Sequence, residues 1–139
     1  SVIDDYKNNY KNIEFKEFYQ SNKYELKIDN SQMSRVLQNI LINSIHSIEE
    51  GQTNEGCIVV ETIEKEDSFQ FILRDNGVGL KYEKDELLKP YFTTKKKSGG
   101  SGLGLSIVEK ILFDHNAEFS IENRDDGIEG AQAEIRFEL

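Results

Sequence analysis

The sequence predicts an α+β two-layer sandwich, in which a mixed, mostly antiparallel sheet carries about three helices on one face. The predicted strands come in adjacent pairs, whereas the strands of a doubly wound parallel sheet would alternate with helices. Two further segments repeat their apolar residues with the period of an amphipathic helix. At 139 residues, 37% of them hydrophobic, the chain suits a single domain over residues 1–139 with one core.

The beginning of the chain predicts a short helix and two strands. Residues 1–10 form a polar helical segment, which we interpret as the end of a linker from an upstream domain. A strand is expected near residues 13–15, and a second over 24–28, where apolar and polar residues alternate.

A long amphipathic helix should begin after candidate N-cap residues at 29–31 and run to about Glu50. Gly51 stands where a glycine is expected after the helix C-cap. The residues expected on the apolar face of this helix are Met33, Val36, Leu37, Ile40, Leu41, Ser44 and Ile48.

The remainder of the chain predicts two hairpins separated by a glycine-rich loop and a second helix. The first hairpin turns at a run of four charged residues, 64–67. The second helix should turn Ile107, Val108, Ile111 and Leu112 inward. The expected elements are strands at 57–63 and 68–74, a loop over 75–101 with a helical turn near 83–88, a helix over about 103–114, and strands near 117–122 and 131–138.

The net charge of −9 argues against a protein that binds nucleic acid through its phosphates. Residues 81–101 nevertheless carry six lysines and three acidic residues, a local +3 that leaves −12 on the rest of the chain. Such an island suits a small polyanion, although a solvated lysine-rich loop would have the same composition. One cysteine and two histidines argue against a disulfide framework or a Cys/His zinc site, and we expect a cytosolic domain.

Two glycine clusters lie beside this lysine-rich segment. Residues 75–79, Asp-Asn-Gly-Val-Gly, directly follow a predicted strand, and the cluster at 99–105 directly precedes a predicted helix. Backbone N–H groups in the second cluster could converge on a phosphate at the positive end of that helix. Its spacing fits neither the phosphate loop with a Gly-Lys pair nor the dinucleotide fingerprint, and each cluster alone could be a simple turn.

Asn39 and Asn43 are four residues apart on the long helix and therefore lie one turn apart at the rim of its buried face. Neutral amide oxygens at such a position can help to hold Mg²⁺, which keeps several waters and the phosphates of its substrate as its other ligands. Two ordinary exposed polar residues would show the same spacing.

In combination, these motifs resemble the nucleotide-binding domain of the GHKL ATPases, and specifically the catalytic domain of bacterial sensor histidine kinases of the nitrogen-regulation type. The resemblance runs from about Tyr24 to Leu139 and implies a Bergerat-type ATP-binding fold. Four ordered motifs carry it: an asparagine box at 34–45, a first glycine box at 75–79, a phenylalanine box at 90–95 and a second glycine box at 100–105.

The resemblance implies a role for each matching position. Asp75 would accept a hydrogen bond from the adenine amine, and Gly77 and Gly79 would let the backbone approach the base. Asn43 would coordinate Mg²⁺, and Asn39 would support phosphate or metal.

The remaining expected ATP-binding positions surround the triphosphate. Lys95 would neutralise phosphate charge and is, with Asn39, the expected catalytic residue. Residues 81–101 would form an ATP lid anchored by Phe92, while Thr93 and Thr94 would contact nucleotide or pack the lid. The second glycine box would contribute Gly100, Ser101, Gly102, Leu103, Gly104 and Leu105.

The chain departs from the family pattern at three places. Ser44 stands where many members carry alanine. His46 stands where many carry lysine or arginine, and is a candidate ATP contact. His-Asn-Ala at 115–117 replaces a commoner His-Gly-Gly turn, so this corner must form without glycine.

The function implied is that of the ATP-binding catalytic domain of a two-component sensor histidine kinase. It would bind Mg-ATP and transfer the γ-phosphate to a histidine on an upstream dimerisation domain, with a response regulator as the partner of the full-length protein. Neither His46 nor His115 lies in the family's acceptor motif. The domain would be cytoplasmic, with any membrane anchor upstream, and would contact neither nucleic acid nor membrane directly.

Three alternatives remain open from the sequence. A serine kinase of the anti-sigma-factor type belongs to the same superfamily, although the complete Phe-Thr-Thr-Lys box argues against it. ATP gates of the gyrase and mismatch-repair kind carry a glutamate general base where this chain has Asn39. A regulatory module could bind nucleotide without transferring phosphate, which the complete set of motifs disfavours.

Overall fold

The structure is a computed structural model, and it describes residues 1–20, 28–52, 54–80 and 104–138. The predicted strand at 24–28, except its last residue, and the predicted lid at 81–101 lie outside these residues. The described helices are α1 (Val2–Asn9), α2 (Asn30–Glu50) and α3 (Gly104–Asp114). The described strands are β1 (Glu14–Phe18), β2 (Cys57–Glu64), β3 (Ser68–Asp75), β4 (Ala117–Asn123) and β5 (Ala131–Glu138).

The five described strands form one mixed sheet in the order β1-β2-β3-β5-β4. β1 runs parallel to β2, and all other neighbours are antiparallel. One row of the register joins Val60, Leu73, Ala133 and Ile121 across four strands, and these side chains belong to the core beneath the helices. The predicted α+β sandwich with a mixed, mostly antiparallel sheet is confirmed.

The long helix α2 begins where its capping residue predicts. The Asp29 side chain accepts a hydrogen bond from Gln32 N–H (3.0 Å), which satisfies one of the free N–H groups of the first turn. The predicted apolar face is buried except at Leu37, which is half-buried. Ile45 and Ser47 are buried in addition: Ile45 belongs to the hydrophobic core, and the turn that follows β3 covers Ser47.

The C-terminus of α2 differs from the prediction by one residue. Gly51 is itself the C-cap, in right-handed conformation, and Gln52 takes the left-handed backbone (φ +54°). A Cβ atom on Gly51 would lie 3.4 Å from Cγ1 of Val78, an ordinary contact distance, so the turn after β3 packs beside the helix end without requiring glycine at this position.

Helix α3 lies against α2 and ends in a glycine-free corner. Val108, Ile111 and Leu112 are buried as predicted, whereas Ile107 is only half-buried. Asn116 adopts the left-handed backbone (φ +56°) that glycine supplies more often, which an asparagine tolerates better than most residues.

Helix α1 packs on α2 and places Ile3 in the common core. Its interpretation as the end of an upstream linker stays a prediction. Within the described ranges, no helix combines the length and apolar character needed to cross a membrane.

The loop between β4 and β5 closes over the end of β3. Gly130 has a φ of +146°, and a Cβ atom built on it would lie 1.9 Å from the carbonyl oxygen of Asp75. The same oxygen accepts a hydrogen bond from the Arg124 guanidinium (3.0 Å), and Arg124 N–H donates to the Gly130 carbonyl (3.0 Å). Glycine at position 130 therefore allows this loop to hold Asp75 in place.

We expect Gly130→Ala to lower the free energy of unfolding by about 3 kcal/mol or more, because backbone strain and steric overlap with Asp75 add together. Gly127→Ala is the matched control. Its φ is also positive (+81°), but a Cβ atom there would meet nothing within 4 Å, so only the conformational cost of about 1–2 kcal/mol remains. Urea unfolding followed by circular dichroism measures both losses. Equal losses would contradict the importance of this close approach.

Candidate functional site

The carboxylate of Asp75 lies buried at the end of β3, between α2 and the start of β5, and the residue is 3% exposed. Its Oδ1 accepts hydrogen bonds from the backbone N–H groups of Gly77 (2.9 Å) and Ala131 (3.3 Å). Burial raises the pKa of the Asp75 carboxyl, and the two backbone hydrogen bonds, the side chain of Ser44 on α2 and the positive charge of Arg124 lower it in part.

Arg124 contacts Asp75 through the backbone of that residue. The guanidinium donates to the Asp75 carbonyl and forms two hydrogen bonds with Asp126 (3.1 and 2.7 Å). The hydrogen bonds that the described part of the chain gives to the Asp75 carboxylate therefore come from two backbone amides, and both donors are neutral. A carboxylate offers about four acceptor positions, so a further donor can still bind.

The turn at residues 76–80 packs directly on α2. A Cβ atom on Gly77 would lie 2.2 Å from Oγ of Ser47, and Val78 N–H donates to the Ser47 carbonyl (3.3 Å). Position 77 thus requires glycine because of the helix. That Gly77 also lets the backbone approach a bound base stays a prediction.

Two asparagines hold the ends of this turn. The Asn76 side chain accepts from Cys57 N–H (2.7 Å) and donates to the Glu55 carbonyl (2.8 Å). The Asn123 side chain accepts from the N–H of Leu80 (2.6 Å) and donates to its carbonyl (3.3 Å). Gly79, with a φ of +79°, lies against Asn123, where a Cβ atom would be 2.8 Å from Oδ1.

The asparagine pair of α2 lies near the N-terminus of α3. A Cβ atom on Gly104 would be 3.4 Å from the side-chain oxygen of Asn39, while the Asn39 amide donates to the Arg35 carbonyl (3.0 Å). Asn43 and His46 follow on the same helix and are half-buried. The first N–H groups of α3 lack intrahelical partners and carry partial positive charge, which favours an anion at this point.

The structure therefore brings together the residues of two predicted motifs and the beginning of a third. Gly104 and the half-buried Leu105 open α3 beside Asn39. The other predicted ATP-binding residues lie outside the described ranges: Phe92, Thr93, Thr94, Lys95, Gly100, Ser101, Gly102 and Leu103.

Sequence reasoning did not assign several residues that shape this site. Residues 126–130, Asp-Gly-Ile-Glu-Gly, signal a turn, but a turn signal does not reveal that Gly130 closes on Asp75. Arg124 and Asn123 precede that turn and carry no motif of their own. Ser44 was noticeable only as a serine in place of the family's usual alanine.

Known proteins with similar sequences and folds place the site in a family. The family model described as histidine kinase-, DNA gyrase B-, and HSP90-like ATPase matches residues 28–139. Over 124 residues the chain is 34% identical to the NtrY-like sensor histidine kinase of Rickettsia prowazekii, covering 87% of this chain and 20% of that protein. Over 117 residues it is 36% identical to the nitrogen regulation protein NtrY of Azorhizobium caulinodans, and the match covers 81% of this chain and 14% of that protein.

The fold matches that of the catalytic domain of histidine kinase ThkA with a TM-score of 0.82 and 23% identity, over 99% of this chain and 87% of that one. The chain spans only about one-fifth, or less, of the length of the curated relatives described above. Because the family model covers the asparagine pair, Asp75 and the start of α3, this chain belongs to the histidine kinase-, DNA gyrase B- and HSP90-like ATPase family, with sensor histidine kinases of the NtrY type among its relatives.

Proposed function

We propose that this domain binds Mg-ATP and transfers the γ-phosphate to a histidine on an upstream dimerisation domain, as the catalytic domain of a two-component sensor histidine kinase. The observation that carries the proposal is the buried Asp75 carboxylate. Burying an ionisable group without a cationic partner destabilises a protein, so such a group commonly serves a function. Here it retains acceptor capacity beside a glycine-rich turn.

Asp75 would recognise the base through hydrogen bonding. An ionised carboxylate only accepts hydrogen bonds, so it suits the exocyclic amine of adenine and opposes the carbonyl oxygen that guanine has at that position. Discrimination by one buried polar group can be strong, because the wrong base leaves that group unpaired.

The phosphates would lie at the N-terminus of α3, where the helix offers free N–H groups. The amide oxygens of Asn39 and Asn43 fit Mg²⁺, which takes oxygen ligands and needs only one or two from the protein when the substrate supplies phosphates. When bound, the ion would neutralise charge on the phosphates, a role shared with Lys95 of the lid. The contribution of Asn39 and Lys95 would be positioning and electrostatic stabilisation.

The acceptor histidine would belong to another domain. Nδ1 of His115 is 2.8 Å from the Ile111 carbonyl, and its Nε2 accepts a hydrogen bond from Asp29 N–H (3.1 Å). Both ring nitrogens are therefore engaged. The rise of α3 also separates His115 from Gly104 by about 16 Å.

A protein of the same fold supports a proposal about the partners of the whole protein. One structure that shares this fold shows histidine kinase ThkA in complex with response regulator protein TrrA. We infer that a response regulator likewise receives the phosphoryl group from the full-length protein, and that this domain works in the cytoplasm.

Calorimetry with ATP and GTP tests the base assignment. We expect Mg-dependent binding of ATP and much weaker binding of GTP. Asp75→Asn should weaken ATP binding roughly a hundredfold, because a hydrogen bond to a charged group is replaced by an amide that can present a donor to the adenine amine. Asp125→Asn removes the same charge from an exposed position and should leave ATP binding unchanged. Equal affinities for ATP and GTP would contradict the assignment.

The same variant should change the pH dependence of stability. Because the pKa of Asp75 is raised in the folded state, its contribution to stability falls as the pH rises from the ordinary aspartate pKa of about 3.9 through the raised value. The amide oxygen of the Asp75→Asn variant can still accept hydrogen bonds from Gly77 and Ala131. Because this amide does not ionise, the variant does not lose stability in this way as the pH rises. Without nucleotide, the stability of Asp75→Asn relative to wild type should therefore increase between about pH 4 and pH 7. A constant or falling difference in thermal unfolding would count against a raised pKa.

We also expect the isolated domain to bind ATP without labelling itself or hydrolysing it rapidly. Asn39 stands where hydrolytic relatives carry a glutamate, and an amide cannot accept the proton of an attacking water. Without a general base, the hydrolysis rate should be lower by about 10²–10⁴-fold. Incubation with γ-labelled ATP, followed by counting protein-bound label and free phosphate, tests both points. Stoichiometric labelling would reveal an internal acceptor, and turnover near once per second would favour an ATP gate.

A further inference from the structure

Two consecutive residues at the end of β4 bind the backbone at both ends of the turn at residues 76–80. Asn123, the last residue of β4, binds Leu80 through its side chain. Arg124, the next residue, donates from its guanidinium to the carbonyl of Asp75 (3.0 Å), directly before the turn. The glycine-containing turn is therefore held at each end by the same short segment of a distant strand.

The Asn123 side chain pairs with Leu80 as a strand residue would. Its oxygen accepts a hydrogen bond from Leu80 N–H (2.6 Å), and its nitrogen donates to the Leu80 carbonyl (3.3 Å). Opposite residues in a hydrogen-bonded pair of an antiparallel sheet exchange the same two bonds. A side-chain amide presents the same donor and acceptor groups as a peptide unit, so asparagine can take the place of a backbone partner.

Asn123 also limits the position of the turn itself. Gly79 has a φ of +79°, and a Cβ atom on it would lie 2.8 Å from Oδ1 of Asn123. Helix α2 contacts the same turn at Gly77, where a Cβ atom would lie 2.2 Å from Oγ of Ser47. Two separate elements therefore contact the turn closely within three residues.

The start of the turn is held independently of Asn123. The Arg124 side chain is 8% exposed, and its Nε and Nη2 donate to the two carboxylate oxygens of Asp126 (3.1 and 2.7 Å). Such a two-point contact fixes the orientation of the guanidinium, which donates to the Asp75 carbonyl through Nη1. Removal of the Asn123 amide should therefore release the Leu80 end of the turn while Arg124 still holds Asp75.

We infer that Asn123 is a positioning residue for recognition of the base, which holds the turn at residues 76–80 in one conformation before a ligand binds. Glycine loses more conformational freedom than any other residue when it is ordered. A turn that is already ordered does not lose affinity to that cost on binding. The inference rests on the proposed function for its last step, the selection of adenine by Asp75 beside this turn.

Amide hydrogen exchange at Leu80, followed by NMR in the nucleotide-free domain, tests the contact directly. In Asn123→Ala we expect this exchange to become roughly tenfold faster, because the acceptor of the Leu80 N–H is lost. Asn123→Asp keeps an acceptor and should stay near wild type. Glu122→Ala shortens an exposed side chain at the neighbouring position of β4 and, as the matched control, should leave the exchange unchanged.

The affinities for ATP and GTP connect this contact to base selection. Asn123→Ala should weaken ATP binding roughly tenfold and GTP binding much less, because only adenine offers its amine to the Asp75 carboxylate. The ratio of the two affinities should therefore fall, and Glu122→Ala should leave it unchanged. A variant that is merely less folded would lose both affinities by the same factor.

An unchanged exchange rate at Leu80 in Asn123→Ala would overturn the inference, and so would equal losses of ATP and GTP affinity. The inference would also be wrong if Glu122→Ala lowered the ratio as much as Asn123→Ala. If wild type fails to bind ATP while Asn123→Ala still speeds exchange at Leu80, the proposed function fails and the role of Asn123 in ordering the turn stands.

Discussion

The docking of the turn after β3 onto the end of α2 is the contact on which the rest of the site depends. Gly77 lies against Ser47 with no space for a side chain, and Val78 bonds to the carbonyl of the same serine. The contact fixes Asp75 against α2 on one side, while Gly130 fixes it against the loop before β5 on the other. The backbone on either side of the Asp75 carboxylate is therefore held by close contacts.

Much of the fold could be predicted because its signals are local. Asp29 and the apolar period of α2 predict that helix, and the charged run at 64–67 predicts the turn between β2 and β3, where Lys65 N–H bonds to the Ser68 carbonyl (2.8 Å). The asparagine spacing and the glycine cluster at 75–79 likewise predict which segments form the site. Family resemblance supplied the expected roles of the individual residues.

The remaining features depend on contacts between distant parts of the chain. Arg124 and Gly130 lie beside Asp75 because β5 pairs with β3, and the separation of about fifty residues along the chain is one that no local pattern encodes. The sequence also pointed to Gly51 as the residue after the helix, whereas Gln52 takes the left-handed backbone there. Leu37 and Ile107 satisfy the helical period but lie at the edges of their buried faces.

His115 joins α3 to α2 at the end away from the asparagine pair, where it bonds to Asp29 N–H and approaches the carbonyl of Ile111. Asn39 and Gly104 are neighbours at the other end of α3, so the two helices run antiparallel, and α3 is hydrogen-bonded to the start of α2 at one end and packed closely on α2 at the other. The two helices therefore have little freedom to move apart. An anion that binds between the helices would find them already held side by side. Its binding would therefore lose little affinity to the entropy of bringing the two helices together.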